Sequence, residues 1–205
     1  MSAARERDTY HHGNLRQALL DAAMEVVGER GVEGLTLREV ARRAGVSHAA
    51  PYHHFEDKGA MVSALAIGGF ERFTAALTEA RDRTHGSHLD RIRAQGAAYV
   101  RFAFDEPDRF KLMWRPELRD PEDLEVDEVG RRSYRVLVEE VERGQRAGEV
   151  REGNAGELSL AAWSAVHGLS MILVDGPLRG QVTTWAMVEP LLDPVLDTVT
   201  RGLAG

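Results

Sequence analysis

The 205 residues read as an all-α chain of about nine helices, with a short N-terminal three-helix domain followed by a longer helical bundle. Three observations predict this class. Apolar residues recur at spacings of three and four along nearly the whole chain, which is the period of a helix face and not of a strand. Capping residues and glycines stand where those runs should begin and end. The stretch over 35–58, L-T-L-R-E-V-A-R-R-A-G-V-S-H-A-A-P-Y-H-H-F-E-D-K, spells two short helices joined by a tight turn, and the rest of the chain reads as its support.

Residues 1–10 are charged and without periodicity, which predicts a mobile arm whose Arg5 and Arg7 could enter a minor groove. Asn14 with Gln17 forms a capping box that opens a helix over 14–30, with Leu15, Ala18, Leu19, Ala22 and Val26 on one stripe and Gly31 ending it. Thr36 with Glu39 forms a second box. It starts a helix near Leu37 in which Leu37, Val40, Ala41 and Ala44 share a face while Arg38, Arg42 and Arg43 project elsewhere. Gly45 stops that helix, since glycine takes a left-handed backbone without a Cβ penalty. Ser47 is then the N-cap of a second helix running to about Phe55. Pro51 falls at its fourth position and removes about one backbone hydrogen bond. Two helices around a Gly-containing turn match the helix-turn-helix pattern.

Asp57 caps a long helix with Val62, Ala66, Phe70, Phe73, Leu77 and Ala80 on one stripe; Gly68 and Gly69 in its middle mark a bend. Leu89, Ile92, Gly96, Tyr99 and Ala103 give the next helix, closing before Glu106-Pro107. A short helix carries Phe110, Met113 and Trp114 and ends before Pro116. Over 120–146, acidic residues open the segment, Arg143 and Arg146 close it, and Val126, Val129, Val136 and Val141 form its apolar side. That order complements a helix dipole. The helix over 157–174 is apolar round most of its circumference, so it is buried within the domain or by a second subunit. The last segment, 185–203, is also apolar, with Pro190 and Pro194 expected to break or kink it.

Composition narrows the function. The chain has no cysteine, which removes disulfides and thiolate metal sites and fits a reducing compartment. Its N-terminus lacks an apolar signal core and no stretch reaches 18 uninterrupted apolar residues, so a soluble cytoplasmic protein is expected. The net charge of −7 belongs mainly to the second part, because residues 1–58 carry 8 basic against 9 acidic side chains and five of the eight histidines. His11 and His12 are adjacent and cannot close a metal site, His53 and His54 point to different helix faces, and His85 and His88 sit in a polar loop; no metal or cofactor is expected. Enzyme signatures are missing as well: no Gly-rich phosphate loop, H-E-x-x-H, G-x-S-x-G or Cys nucleophile.

The run T-L-R-E-V-A-R-R-A-G-V-S followed by P-Y-H-H-F-E-D-K resembles the DNA-binding domain of the TetR family of transcriptional regulators, over about 14–62. Pro51 departs from it, standing where the family more commonly has Leu, Ile or Val. The resemblance implies a DNA-binding domain with its arm over 1–60 and an effector-binding and dimerisation domain over 61–205. It implies that Thr36, Ser47, Tyr52 and Lys58 hold phosphates while Arg38, His48 and Ala49 face base edges. Ala50 is small enough to let the helix backbone sit deep in a groove, and His53 can reach a phosphate. Arg38 would favour guanine, and the alanine methyls would touch thymine methyls.

Trp163-Ser-Ala-Val-His167-Gly168 resembles the Trp-x-x-x-His-Gly element of one C-terminal subclass of these regulators. Two readings stay open for it. One is a core Trp with a hydrogen-bonded His and a Gly that allows close helix contact; in the other, His167 lines an effector pocket with Tyr99, Phe110, Trp114 and Tyr134. In the family the last two major helices pack against their copies in a twofold dimer, which points to Trp163, Val166, Leu169, Leu173, Leu192, Val195 and Val199. The function implied is a ligand-responsive regulator, most commonly a repressor, that binds a near-palindromic operator as a homodimer and is released by a small molecule. The rival is a helical ligand-binding or scaffolding protein that has lost DNA binding.

Overall fold

A computed structural model describes residues 15–120 and 122–205 in full, and over 2–14 the helical backbone alone. Its eight α-helices are α1 (Ser2–Arg30), α2 (Leu37–Arg43), α3 (Lys58–Arg83), α4 (His88–Asp105), α5 (Pro107–Met113), α6 (Leu124–Arg146), α7 (Ala155–Val174) and α8 (Trp185–Leu203). Short 3-10 turns occupy Val32–Gly34, Ala50–His53 and Pro116–Leu118. No strand occurs among the described residues, so the all-α expectation holds and the helix count is close to the expected nine. The chain divides into two compact units: Met1–Gly68 with Leu112–Val126, and Gly69–Lys111 with Asp127–Gly205. One boundary near residue 60 does not describe this division, because the first unit also recruits the segment around Asp120, whose N–H donates to Ser63 Oγ at 3.1 Å.

In the first unit α1 buries Leu19, Ala22, Ala23, Val26 and Val27, α2 buries Leu37, Val40 and Ala41, and the start of α3 buries Met61, Val62 and Leu65. Each large aliphatic side chain so buried contributes about 1.5–3 kcal/mol. Ala18, expected on the α1 stripe, is exposed instead. The α1 backbone continues from Ser2, so the start expected at Asn14 falls inside a helix; the Asn14 cap and the side chains of the arm lie outside the described residues. Gly31 (φ 70°) ends α1 as expected, its N–H donating to Val27 O at 2.8 Å. Gly45 (φ 68°) ends α2, with Val46 N–H returning to Ala41 O at 3.0 Å, the pairing of a Schellman cap.

In the second unit α4 packs on α7 and α8, and α7 packs on α8. Ile92, Val141, Val150, Leu158, Ala162 and Leu203 form one apolar cluster there. A Cβ on Gly96 would stand 2.6 Å from Leu196 Cδ2, so glycine is what lets α4 approach α8. All four valines assigned to α6 are buried. Helix α8 is unbroken, contrary to the expected effect of Pro190 and Pro194. Their spacing of four puts both on the outer face, and the carbonyls they leave unbonded, at Ala186 and Pro190, belong to exposed residues that water can reach. Helix α3 is likewise unbroken at Gly68 and Gly69, and the division between units falls between these two residues. Both α3 and α7 are long and apolar enough to cross a membrane by composition. In α7 that apolarity is spent on the fold, where Leu158, Ala162, Val166, Leu169 and Leu173 are buried.

Candidate nucleic-acid interface and effector site

The candidate DNA surface is built on α2 and the turn after it. Thr36 Oγ1 accepts from Glu39 N–H at 3.1 Å, which fixes the start of α2. The reciprocal half of the expected box is absent, because the Glu39 carboxylate takes Arg42 instead, at 2.8 and 2.6 Å. Those hydrogen bonds hold the Glu39 carboxyl down at about 2. The Arg43 guanidinium pairs with Glu29 and, at 3.5 Å, with Glu25. Arg38 is exposed and has no acidic partner among the described residues.

The element after Gly45 differs from the expected α-helix over 47–55. Backbone bonds run Ala50 N–H to Ser47 O (3.0 Å) and Tyr52 N–H to Ala49 O (3.2 Å), the i to i−3 pattern of a 3-10 turn. Pro51 is the physical reason. An α-helix here would need residue 51 to donate to Ser47 O, and proline has no N–H. The cap position is Ala49, without a side-chain cap bond, so Ser47 is not the N-cap. Pro51 and Phe55 face inward and are buried, with the Arg16 guanidinium 5.3 Å from the Phe55 ring centroid. Thr36, Arg38, Ser47, His48, Ala49, Tyr52 and His53 are exposed, and Ala50 and Lys58 are partly so. Asp57 Oδ1 accepts from Ala60 N–H at 2.8 Å and opens α3 beside Lys58.

The second unit holds an aromatic cluster between α4, α5, α6 and α7. Tyr99 OH lies 2.8 Å from His167 Nδ1. Trp163 stacks on His167 with centroids 4.7 Å apart and planes 15° from parallel, and Tyr134 meets Trp163 edge-on at 6.5 Å. Phe110 lies 5.8 Å from Tyr99 and 5.9 Å from His167, and Tyr134 OH donates to Gly156 O at 2.9 Å. Burial pushes the Tyr99 phenol far above its ordinary value, with a hydrogen bond to Trp163 as the smaller opposing effect. Burial also pulls the His167 imidazole below its ordinary value. Both groups are therefore neutral near pH 7, and the imidazole tautomer sets which of them donates in the Tyr99–His167 hydrogen bond.

Four of the five expected effector residues thus come together, while Trp114 belongs to the first unit. Trp163, expected at a dimer interface, joins the cluster, as does Phe73 at 4.8 Å from Tyr99. The sequence showed Phe73 only as part of a core stripe. Of the other expected interface residues, Val166, Leu169, Leu173 and Leu192 are buried within this one chain, and Val195 and Val199 are partly buried. The helix faces they were assigned to are already covered by α4 and by each other. The apolar side chains that α7 and α8 leave outward are Leu160, Ile172, Met187 and Leu191, between 38% and 53% exposed. Gly168 does not serve a close contact within the chain, since a Cβ there would meet nothing within 4 Å.

Residues 19–65 match the family described as bacterial regulatory proteins, tetR family, and residues 92–199 match the tetracyclin repressor-like C-terminal domain. The chain belongs to the TetR family. It is similar to a solved protein of unknown function from Rhodococcus sp. RHA1, with 38% identity, a TM-score of 0.83, and coverage of 96% of this chain and 98% of that one. The TetR-family regulator PfmR from Thermus thermophilus shares the fold, with 23% identity and a TM-score of 0.70 over 91% of this chain and 99% of that one. The regulator BetI of Serratia proteamaculans (strain 568) is 29% identical over 91% of this chain and 93% of its own length. The tetracycline repressor of class D from Escherichia coli is 38% identical over 52 residues, which are 25% of this chain and 24% of that repressor. The chain thus matches about a quarter of the length of that TetR protein.

Proposed function

We propose that this regulator is a cytoplasmic repressor that binds a near-palindromic operator as a homodimer and leaves it when a small molecule enters the second unit. The observation that carries the DNA reading is the division of the 45–55 segment. Pro51 and Phe55 anchor it inward, while Ser47, His48, Ala49, Tyr52 and His53 are left at the surface beside Arg38, which has no acidic partner among the described residues. A fold serving only itself has no need of that outward set. In the complex, Thr36, Ser47, Tyr52, His53 and Lys58 hold phosphates, and Arg38, His48, Ala49 and Ala50 lie against base edges. Two such surfaces about 34–36 Å apart read half-sites one helical turn apart.

The dimer face in this reading is the outward apolar set Leu160, Ile172, Met187 and Leu191, with Gly168 leaving room for a second copy. The effector lies against Tyr99, Phe110, Tyr134, Trp163 and His167, and the stacked Trp163–His167 pair supports placing the chain in the Trp-x-x-x-His-Gly subclass. Helix α3, which has residues in both units, carries the response, provided the effector prefers one dimer conformation. The shortened turn at Pro51 favours one rival, a ligand-binding protein without DNA affinity. A gel shift with the DNA flanking the gene decides between them. The wild-type protein should shift it, Arg38→Ala should weaken binding about 10- to 100-fold with relaxed base preference, and Tyr52→Phe should weaken all sequences evenly. No shift by the wild type selects the rival, and indifference to both substitutions removes the site assignment.

A further inference from the structure

Two buried polar side chains of the second unit make no hydrogen bond within the described chain: the Gln95 amide, through both oxygen and nitrogen, and the Ser159 hydroxyl. Gln95 is 3% exposed and Ser159 0%. Native folds rarely leave such groups unpaired, because burial strips them of water without return. Their places in the helices put them about one helical turn apart in height, Ser159 at the level of Ile92 and Gln95 at the level of Trp163. Gln95 lies between Ile92 and Tyr99 on a face of α4, and Ser159 lies one turn before Trp163 and two before His167 on α7. Ile92 clusters with Leu158 and Ala162 while Tyr99 bonds to His167, so α4 and α7 run side by side in the same sense. Helix α6 closes this layer in the opposite sense, with Val141 in the apolar cluster and Tyr134 against Trp163. Gln95 and Ser159 therefore occupy the step between an aliphatic floor and a flat aromatic wall.

We infer that Gln95 and Ser159 are the polar anchor for the effector, and that the effector is a flat, uncharged molecule with a hydrogen-bond donor and acceptor side by side, as in a lactam or carboxamide. The inference rests on the reading of the second unit as an effector site. A side-chain amide offers an acceptor and a donor at matching spacing, so a lactam edge pairs with it twice, and the serine hydroxyl can take either role. The flat body lies along the Trp163–His167 stack. Among the described residues of this layer a charged ligand would find no free counter-ion, since Tyr99 and His167 are neutral here and the buried Glu140 carboxylate is already held by His88 at 2.7 Å and Arg143 at 3.1 Å.

Titration calorimetry of the full chain with 2-quinolinone, quinoline and 2-naphthoate tests this. 2-Quinolinone should bind at least about tenfold more tightly than quinoline, which lacks the lactam, and naphthoate should bind most weakly. In Gln95→Leu that preference should fall to about one with quinoline unaffected, and Ser159→Ala should lose part of it. The ligand-free Gln95→Leu protein should also melt higher, because an apolar side chain of similar shape replaces an unpaired amide. Equal binding of the three probes, binding of none, a preference that survives Gln95→Leu, or a lower melting temperature in that variant would each overturn the inference. Gel shifts run in parallel keep the two readings apart. Loss of the probe result with operator binding intact counts against the anchor alone, and a wild type that binds probes but no operator counts against the repressor.

Discussion

Arg38, Arg42 and Arg43 stand on one seven-residue helix and meet different fates. Glu39 consumes Arg42, and Glu29 with Glu25 consumes Arg43, so among the described residues only Arg38 of this helix keeps its guanidinium for an outside partner. Acidic neighbours, not the arginines themselves, decide which residue of this basic helix is left open to an outside partner. His167 shows a comparable effect of surroundings on a titrating group. Its folded value lies below the 6.5 of an unperturbed imidazole, because burial penalises the charged form. Between those two values the unfolded chain binds more protons than the folded one, so stability rises with pH through that window and is lost as pH falls below about 6.5. Urea unfolding of the wild type should show this slope between about pH 5 and 7. In His167→Gln, whose amide can still hydrogen-bond to the Tyr99 hydroxyl, that slope should flatten.

At the scale of elements, proline is the residue whose effect depends most on where it falls. Pro51 sits where its missing N–H would have closed the first α-turn, and the segment becomes a 3-10 turn. Pro190 and Pro194 sit mid-helix on an exposed face, and α8 persists. That persistence has a cost, since proline in a helix interior is about 3 kcal/mol less favourable than alanine. Pro190→Ala and Pro194→Ala should therefore each stabilise the protein, by at least about 1 kcal/mol in chemical denaturation. Local signals in the sequence carried most of the element map: Gly31 and Gly45 end α1 and α2, Asp57 opens α3, and the valines of α6 lie inward. What escaped was non-local. Whether a helical proline breaks its helix depends on which face water reaches, and the docking of the segment around Asp120 onto Ser63 joins residues 57 positions apart. The aromatic site was legible in Tyr99, Phe110, Tyr134 and His167, but Gln95 carried no signal beyond its place one turn before Tyr99.

At the scale of the whole molecule, the proposed dimer rests on apolar surface that a single chain leaves uncovered. The sequence named α7 and α8 for this role but could not separate the face that packs inward from the face that stays outside, because α7 is apolar nearly all round. A charge placed on the outer face discriminates: Leu191→Glu should be monomeric by analytical ultracentrifugation at concentrations where the wild type is dimeric. Its operator affinity should fall at least about tenfold, since half-site binding loses its partner. On the proposed DNA reading, the tight turn imposed by Pro51 has a corresponding effect on the promoter. So short a reading element offers the duplex few side chains, and each half-site therefore specifies little alone. Selectivity then resides in phase, in whether two modest half-sites face the same side of the helix. Such a promoter tolerates drift in its letters, but half a turn of DNA inserted between the half-sites would free it from control.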